Sequence, residues 1–115
     1  MALPKNHRLT RDKDFKNVFD SGKTVKDSFL FIRFLIDKDQ KHSRFGIVVS
    51  GKVSKKATVR NKVRRQISEV LRNNLDRIIN NADVVIVTNS KIVDKEFTEI
   101  EKVVLNLLKK SKIIK

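Results

Sequence analysis

The residues best suited to chemistry lie in SGKVSKKATVRNKVRRQISE, residues 50–69, where cations recur and Glu69 is the lone acid. From Lys52 to Arg72 there are eight Lys or Arg against that one acid, a local charge of +7 and half of the chain's net +14. A solvated helix normally mixes signs, so that i,i+4 neighbours attract. Here Arg60 and Arg64 are four apart, as are Asn61 and Arg65. Crowding like charges this way costs stability unless a counter-charge compensates it. The chemistry that fits is polyanion binding: arginine presents a planar fork that matches phosphate bidentately, and Asn61 adds a hydrogen-bonding position.

Protein-based catalysis has little to work with. His7 and His42 are the only histidines; one falls in the N-terminal segment and the other in a turn, where solvation is expected rather than acid–base work. There is no cysteine, hence no disulfide framework and no thiolate metal site. The three glycines, Gly22, Gly46 and Gly51, are too scattered for a phosphate-cradling loop. Asp12, Asp14, Asp37 and Asp39 sit where caps and turns account for them.

The 115 residues suit one domain, 1–115, with residues 1–9 expected as a flexible basic tail. Hydrophobic residues make up 39% and recur periodically, which argues for a packed core despite the charge. The start, MALPKNHRLT, lacks the apolar stretch of a secretory signal. The longest apolar run, FLFIRFLI at 29–36, is too short to span a bilayer and is broken by Arg33. A cytoplasmic protein that binds nucleic acid and no membrane is expected, with no obligate protein partner.

The elements that must position the basic run follow from periodicity. A helix is predicted over 11–20, capped by Thr10, with Phe15, Val18 and Phe19 on one face and Gly22 ending it. Residues 28–36 read as a strand covered on both faces, with Leu30, Ile32 and Phe34 on one side and Phe29, Phe31, Arg33 and Leu35 on the other. The turn 37–42 leads to a second strand, 44–50, and the two are predicted to form a hairpin. A long helix over 57–79 buries Val59, Val63, Ile67, Val70 and Leu71, and places Asn61, Arg64, Arg65 and Ser68 on an adjoining face with Arg60 at its border. A buried strand over 83–89 and a helix over 94–110 complete the order helix-strand-strand-helix-strand-helix. The fold class is α+β, an α/β sandwich on one small central sheet, in which strands 44–50 and 83–88 can pair in parallel.

The basic run resembles the signature of the bacterial ribonuclease P protein subunit, an Arg-Asn-Arg helix preceded by Ser-Lys-Lys and Lys-Ala-Val. HRLTRDKDFKNVFDSGKTV (7–25) resembles that family's opening helix with its Phe-x-x-x-Phe, and RFGIVVS and DVVIVTN resemble its two later strands. The matches occur in the family's order over nearly the whole chain. Gly51 stands where a lysine is usual, Thr58 where valine is common, and Lys62 replaces the second arginine of Arg-Asn-Arg, keeping charge without the fork. Ser68 stands where an arginine often precedes Glu69, and Asn89 where a basic residue is common.

The resemblance implies a ribosomal-protein-like fold with a left-handed βαβ crossover, against the general preference. It implies a subunit of an RNA-based endonuclease that removes the 5′ leader of precursor tRNA, with magnesium ions held mainly by the RNA, none bound by the protein alone, and no catalytic residue in the protein. Lys52, Lys55, Lys56, Arg60, Asn61, Lys62, Arg64 and Arg65 would face the catalytic ribonuclease P RNA. Phe15, Phe19, Phe31 and Arg33 would line a cleft for the leader, since aromatic rings stack on any base and an arginine serves the backbone. Phenylalanines at helical spacing also suit a core, and for Phe15 both readings stand. A small structural RNA-binding protein of ribosomal type is the alternative that fits charge and fold class, but it leaves the Phe-x-x-x-Phe helix unexplained. A membrane-surface protein would need a broad exposed apolar helix face.

Overall fold

A computed structural model describes residues 3–115. The helices are α1 (Asp12–Ser21), α2 (Ala57–Asn73) and α3 (Phe97–Lys110); the strands are β1 (Lys23–Asp27), β2 (Leu30–Ile36), β3 (Arg44–Val48) and β4 (Ala82–Thr88). They form one mixed sheet in the order β1-β2-β4-β3, with β1/β2 and β2/β4 antiparallel and β3/β4 parallel. This is the predicted α+β class and the predicted parallel pair. None of the described helices is long and apolar enough to cross a membrane.

The predicted hairpin of 28–36 with 44–50 does not form, because β4 lies between the two strands. β2 and β4 are the most apolar strands, and the sheet gives each a partner on both edges. The hairpin that does form is β1–β2, turning at Ser28-Phe29 with Ser28 at φ 54°. β1 reads KTVKD, with one apolar residue, a composition suited to an edge strand and invisible to a search for apolar runs. Phe29 therefore sits in a turn, so its predicted side is wrong: it is fully buried in the main core rather than beside Phe31.

That core lies between the sheet and α2 and α3. Leu30, Ile32 and Phe34 of β2 and Val84 and Ile86 of β4 meet Val63, Ile67 and Leu71 of α2 and Ile100, Leu107 and Leu108 of α3. The other face of the sheet carries α1 over a smaller cluster of Leu9, Val18 and Val85. Register stacks three rows across this face: Lys26-Phe31-Val87-Val48, then Thr24-Arg33-Val85-Gly46, then Leu35-Asp83-Arg44.

Helix ends differ from expectation for local reasons. α2 stops at Asn73, short of the predicted 79, because Asn74 is buried and its Nδ2 donates to the Val70 carbonyl at 2.7 Å. α3 starts at Phe97 because Asn89 Oδ1 accepts from the Lys91 N–H and a 3-10 turn fills Ser90–Asp94. Arg11, not Thr10, precedes α1, and no side chain caps it. Gly22 ends α1 with an extended backbone (φ −80°); a Cβ there would lie 2.4 Å from the Val18 carbonyl oxygen and 2.8 Å from that of Phe34.

Part of the predicted tail is docked. Met1 and Ala2 lie outside the described residues, but Leu3 and Leu9 are buried and Arg8 bridges to Phe45 at the edge of β3. Two leucines in a basic segment are enough to anchor it against an open strand edge. His7, expected in solvent, is half-buried with Nδ1 2.8 Å from the Ser43 carbonyl oxygen.

Candidate nucleic-acid interface

Two surfaces emerge. The first is α2 with its lead-in, residues 50–56. Val53 is buried and pins the lead-in, leaving Lys52, Lys55 and Lys56 exposed around it. Arg60 donates from Nη1 to the Ser54 carbonyl at 2.8 Å, and Arg64 from Nη2 to the Val49 carbonyl at 3.1 Å. These two arginines are half-buried and tie helix to lead-in. Asn61 Oδ1 accepts from Arg64 Nη1 at 2.9 Å, so Asn61 orients a guanidinium. Lys62 and Arg65 point outward, exposed.

No acid pairs with any of these cations among the described residues. The ion pairs lie elsewhere: Arg44 with Asp14 and Asp83, Arg72 with Glu69, and Lys95 with Glu99. The lone acid of the basic run is thus taken by Arg72. α2 also begins without a side-chain cap or an acidic residue in its first turn, so its free N–H groups add to the positive potential.

The second surface is the α1 face of the sheet. Phe19 is 41% exposed, with the Arg33 guanidinium carbon 6.0 Å from its ring centre. Phe31 is half-buried in the row with Val87 and Val48, and Lys26 Nζ stands 5.9 Å from its ring centre. Phe15 lies against Gly46, where an added Cβ would approach its ring to 2.4 Å. Its ring is a half-buried wall packed with the small cluster, so both readings of Phe15 hold in part.

Arg33 is where the predicted group is present but committed to another task. It donates from Nη1 to Thr24 Oγ1 at 2.7 Å, from Nη2 to the Phe19 and Gly22 carbonyls at 2.5 and 3.0 Å, and from Nε toward the Val18 carbonyl at 3.4 Å. It closes the C-terminal end of α1, where carbonyls lack helical partners. Arg44 holds the other end: it grips Asp83 through Nε and Nη2 at 2.9 and 2.7 Å and reaches Asp14 of α1 at 3.2 Å. The hydrogen bonds to Asp83 raise the Arg44 pKa further above its ordinary value, against the opposing effect of burial.

Sequence reasoning missed Lys26, Val48 and Val87. The signal for Lys26 was there: it alternates with Thr24 on a strand whose polar composition concealed it.

A small α+β domain with unpaired cations along one helix and an aromatic strip on the open sheet face is an RNA-binding protein. The Ribonuclease P family model matches residues 3–112. The ribonuclease P protein component of Clostridioides difficile is 40% identical over 114 residues, 98% of each chain. That of Synechocystis is 49% identical over 87 residues, 76% of this chain and 70% of the relative. The solved RNase P protein of Thermotoga maritima superposes with a TM-score of 0.81 at 33% identity, covering 90% of this chain and 96% of that one. A Staphylococcus aureus RNase P protein mutant superposes at 0.88 with 25% identity, covering 96% and 92%. The chain belongs to the ribonuclease P protein family. It is a subunit of a ribonucleoprotein endoribonuclease of tRNA processing, and its partner is the ribonuclease P RNA.

Proposed function

We propose that this chain meets the ribonuclease P RNA through Lys52, Lys55, Lys56, Asn61, Lys62 and Arg65, with Arg60 and Arg64 fixing the shape of that surface. A-form RNA offers phosphates, 2′-hydroxyls and shape more than base edges, and a rigid array of cations matches those features. The single-stranded 5′ leader of cytoplasmic precursor tRNA lies on the α1 face, its bases against Phe19 and Phe31 and its phosphates near Lys26. Stacking tolerates any base, which suits an enzyme that accepts many leaders. The observation that supports this reading is the density of cations on α2 and its lead-in, eight Lys or Arg against one acid, of which only Arg72 has an acid partner among the described residues.

In this proposal the protein positions RNA and the RNA cleaves. Magnesium ions are held mainly by the RNA. The acids nearest the α1 face, Asp14 and Asp83, are already gripped by Arg44 and do not converge on a site for a metal. The test is reconstitution with a bacterial ribonuclease P RNA at low magnesium. The protein is expected to stimulate cleavage of a leader-bearing precursor tRNA; cleavage at the RNA-alone rate would reject the proposal.

A further inference from the structure

At the open edge of β3, beside the docked N-terminal segment, lies a recess of about 240 Å³. Phe15, Phe45, Gly46 and Ile47 line it. Arg8, Arg64 and Ser68 line it as well.

The backbone of β3 gives the recess its polar groups. The Phe45 carbonyl accepts from the Leu9 N–H at 2.9 Å, and the Val49 carbonyl accepts from Arg64 at 3.1 Å. Backbone groups along a strand alternate between its two edges. Ile47, midway between Phe45 and Val49, therefore turns its N–H and C=O to the same open edge. Among the described residues, neither the N-terminal segment nor α2 bonds it. One donor and one acceptor thus stand side by side in a recess with an aromatic lining, which two arginines also line. Arg8 uses Nε on the Leu3 carbonyl at 2.7 Å, and its exposed side chain keeps its terminal nitrogens for a ligand.

We infer that this recess receives a single unstacked nucleobase of the bound RNA. Splayed bases are recognised by stacking on aromatic rings or guanidinium planes and by hydrogen bonds along their edges. Every base carries a donor beside an acceptor on its Watson–Crick edge, which complements the Ile47 pair. Arg8 serves the phosphate of the extruded nucleotide. Phe15 then has two working sides, one toward the α1 face and one toward this recess. The inference rests on the proposal that α2 lies against RNA.

Ser68→Trp fills the recess from α2 without adding or removing charge. The affinity of the full-length protein for a bacterial ribonuclease P RNA, measured against salt, is compared for wild type, Ser68→Trp and Arg65→Ala. Ser68→Trp is expected to weaken binding about tenfold, as the loss of one stacked base would, with the salt slope lowered by no more than the single phosphate contact of Arg8. If Arg65→Ala lowers the slope while Ser68→Trp binds like wild type, the recess is empty in the complex and the helix surface stands. If neither variant changes binding, both readings fall. Should circular dichroism show Ser68→Trp unfolded, an amide NMR titration of the wild-type protein with AMP decides. Movement of the Ile47 amide supports the recess, and shifts confined to the cations of α2 overturn it.

Discussion

The lead-in to α2 and the α1 face of the sheet both carry cations on a surface proposed for RNA, yet they hold them differently. Lys52, Lys55, Lys56, Lys62 and Arg65 are exposed, and no acid among the described residues pairs with them. Arg33 donates instead to Thr24 and to the carbonyls of Val18, Phe19 and Gly22. The first arrangement leaves a charge imbalance that only a partner removes, with repulsion in the free protein as its cost. The second spends its arginine on shape and leaves binding to rings. A cation's type is therefore a poor guide to its task. What separates the two is whether backbone carbonyls already claim the guanidinium.

The sharpest way to break this contrast is Arg33→Met, which keeps the apolar stem and removes the fork. Several hydrogen bonds from a charged donor are lost together, and the end of α1 loses its closure. A loss of about 2–4 kcal/mol in folding stability is expected, read from the urea midpoint at constant slope. Arg33→Lys should recover only part of it, since one ammonium cannot reach the same set of acceptors. A midpoint within error of wild type would return Arg33 to the role of a ligand for the leader backbone.

A smaller effect is expected from Phe31→Ala, and it should appear in binding rather than in the fold. Phe31 is half-buried in β2, in the row whose outer member is Lys26 on the edge strand β1. Removing one stacking ring should weaken holoenzyme binding of a leader-bearing precursor tRNA by about 1–3 kcal/mol. Mature tRNA, which lacks the leader, should bind as before. Equal losses for both RNAs would place Phe31 in the core and leave Phe19 as the exposed ring of this face.

The amino-acid pattern carried the helices and the two central strands because each buries a periodic apolar stripe. It did not carry β1, since Lys23–Asp27 has only Val25 to bury. It did not carry the strand order either. The polar turn 37–42 serves equally a hairpin or a wider connection, and the choice between them rests on which strands most need partners on both edges. On the basic surface, charge spacing picked out a helix face whose cations lack acid partners among the described residues, but it did not separate tethered members from free ones. Arg60 and Arg64 differ from Lys62 and Arg65 by bonds to Ser54 and Val49 carbonyls, contacts set by how the lead-in folds back on the helix. On the α1 face, ring spacing brought out Phe15 and Phe19, whereas the seat of Phe15 on Gly46 is a long-range contact that helical periodicity does not contain.

The smallest effect tests that ranking within α2. Arg65 is exposed and makes no hydrogen bond or ion pair among the described residues, so Arg65→Ala should leave the unfolding midpoint unchanged. Its affinity for ribonuclease P RNA should fall about threefold to tenfold near physiological salt. The slope of log affinity against log salt should drop by about 0.7–0.9, the signature of one phosphate contact. Arg64→Ala differs in kind, because it releases the Val49 carbonyl and the Asn61 side chain. It should lower stability by about 1–2 kcal/mol and weaken RNA binding through the shape of the lead-in. Asn61→Ala should then add little to Arg64→Ala, since the two act through one bond, whereas Asn61→Ala and Arg65→Ala should combine additively. If Asn61 instead coupled to Arg65 in that cycle, the RNA would be reading Asn61 directly, and the division between tethered and free members of the helix would have to be redrawn.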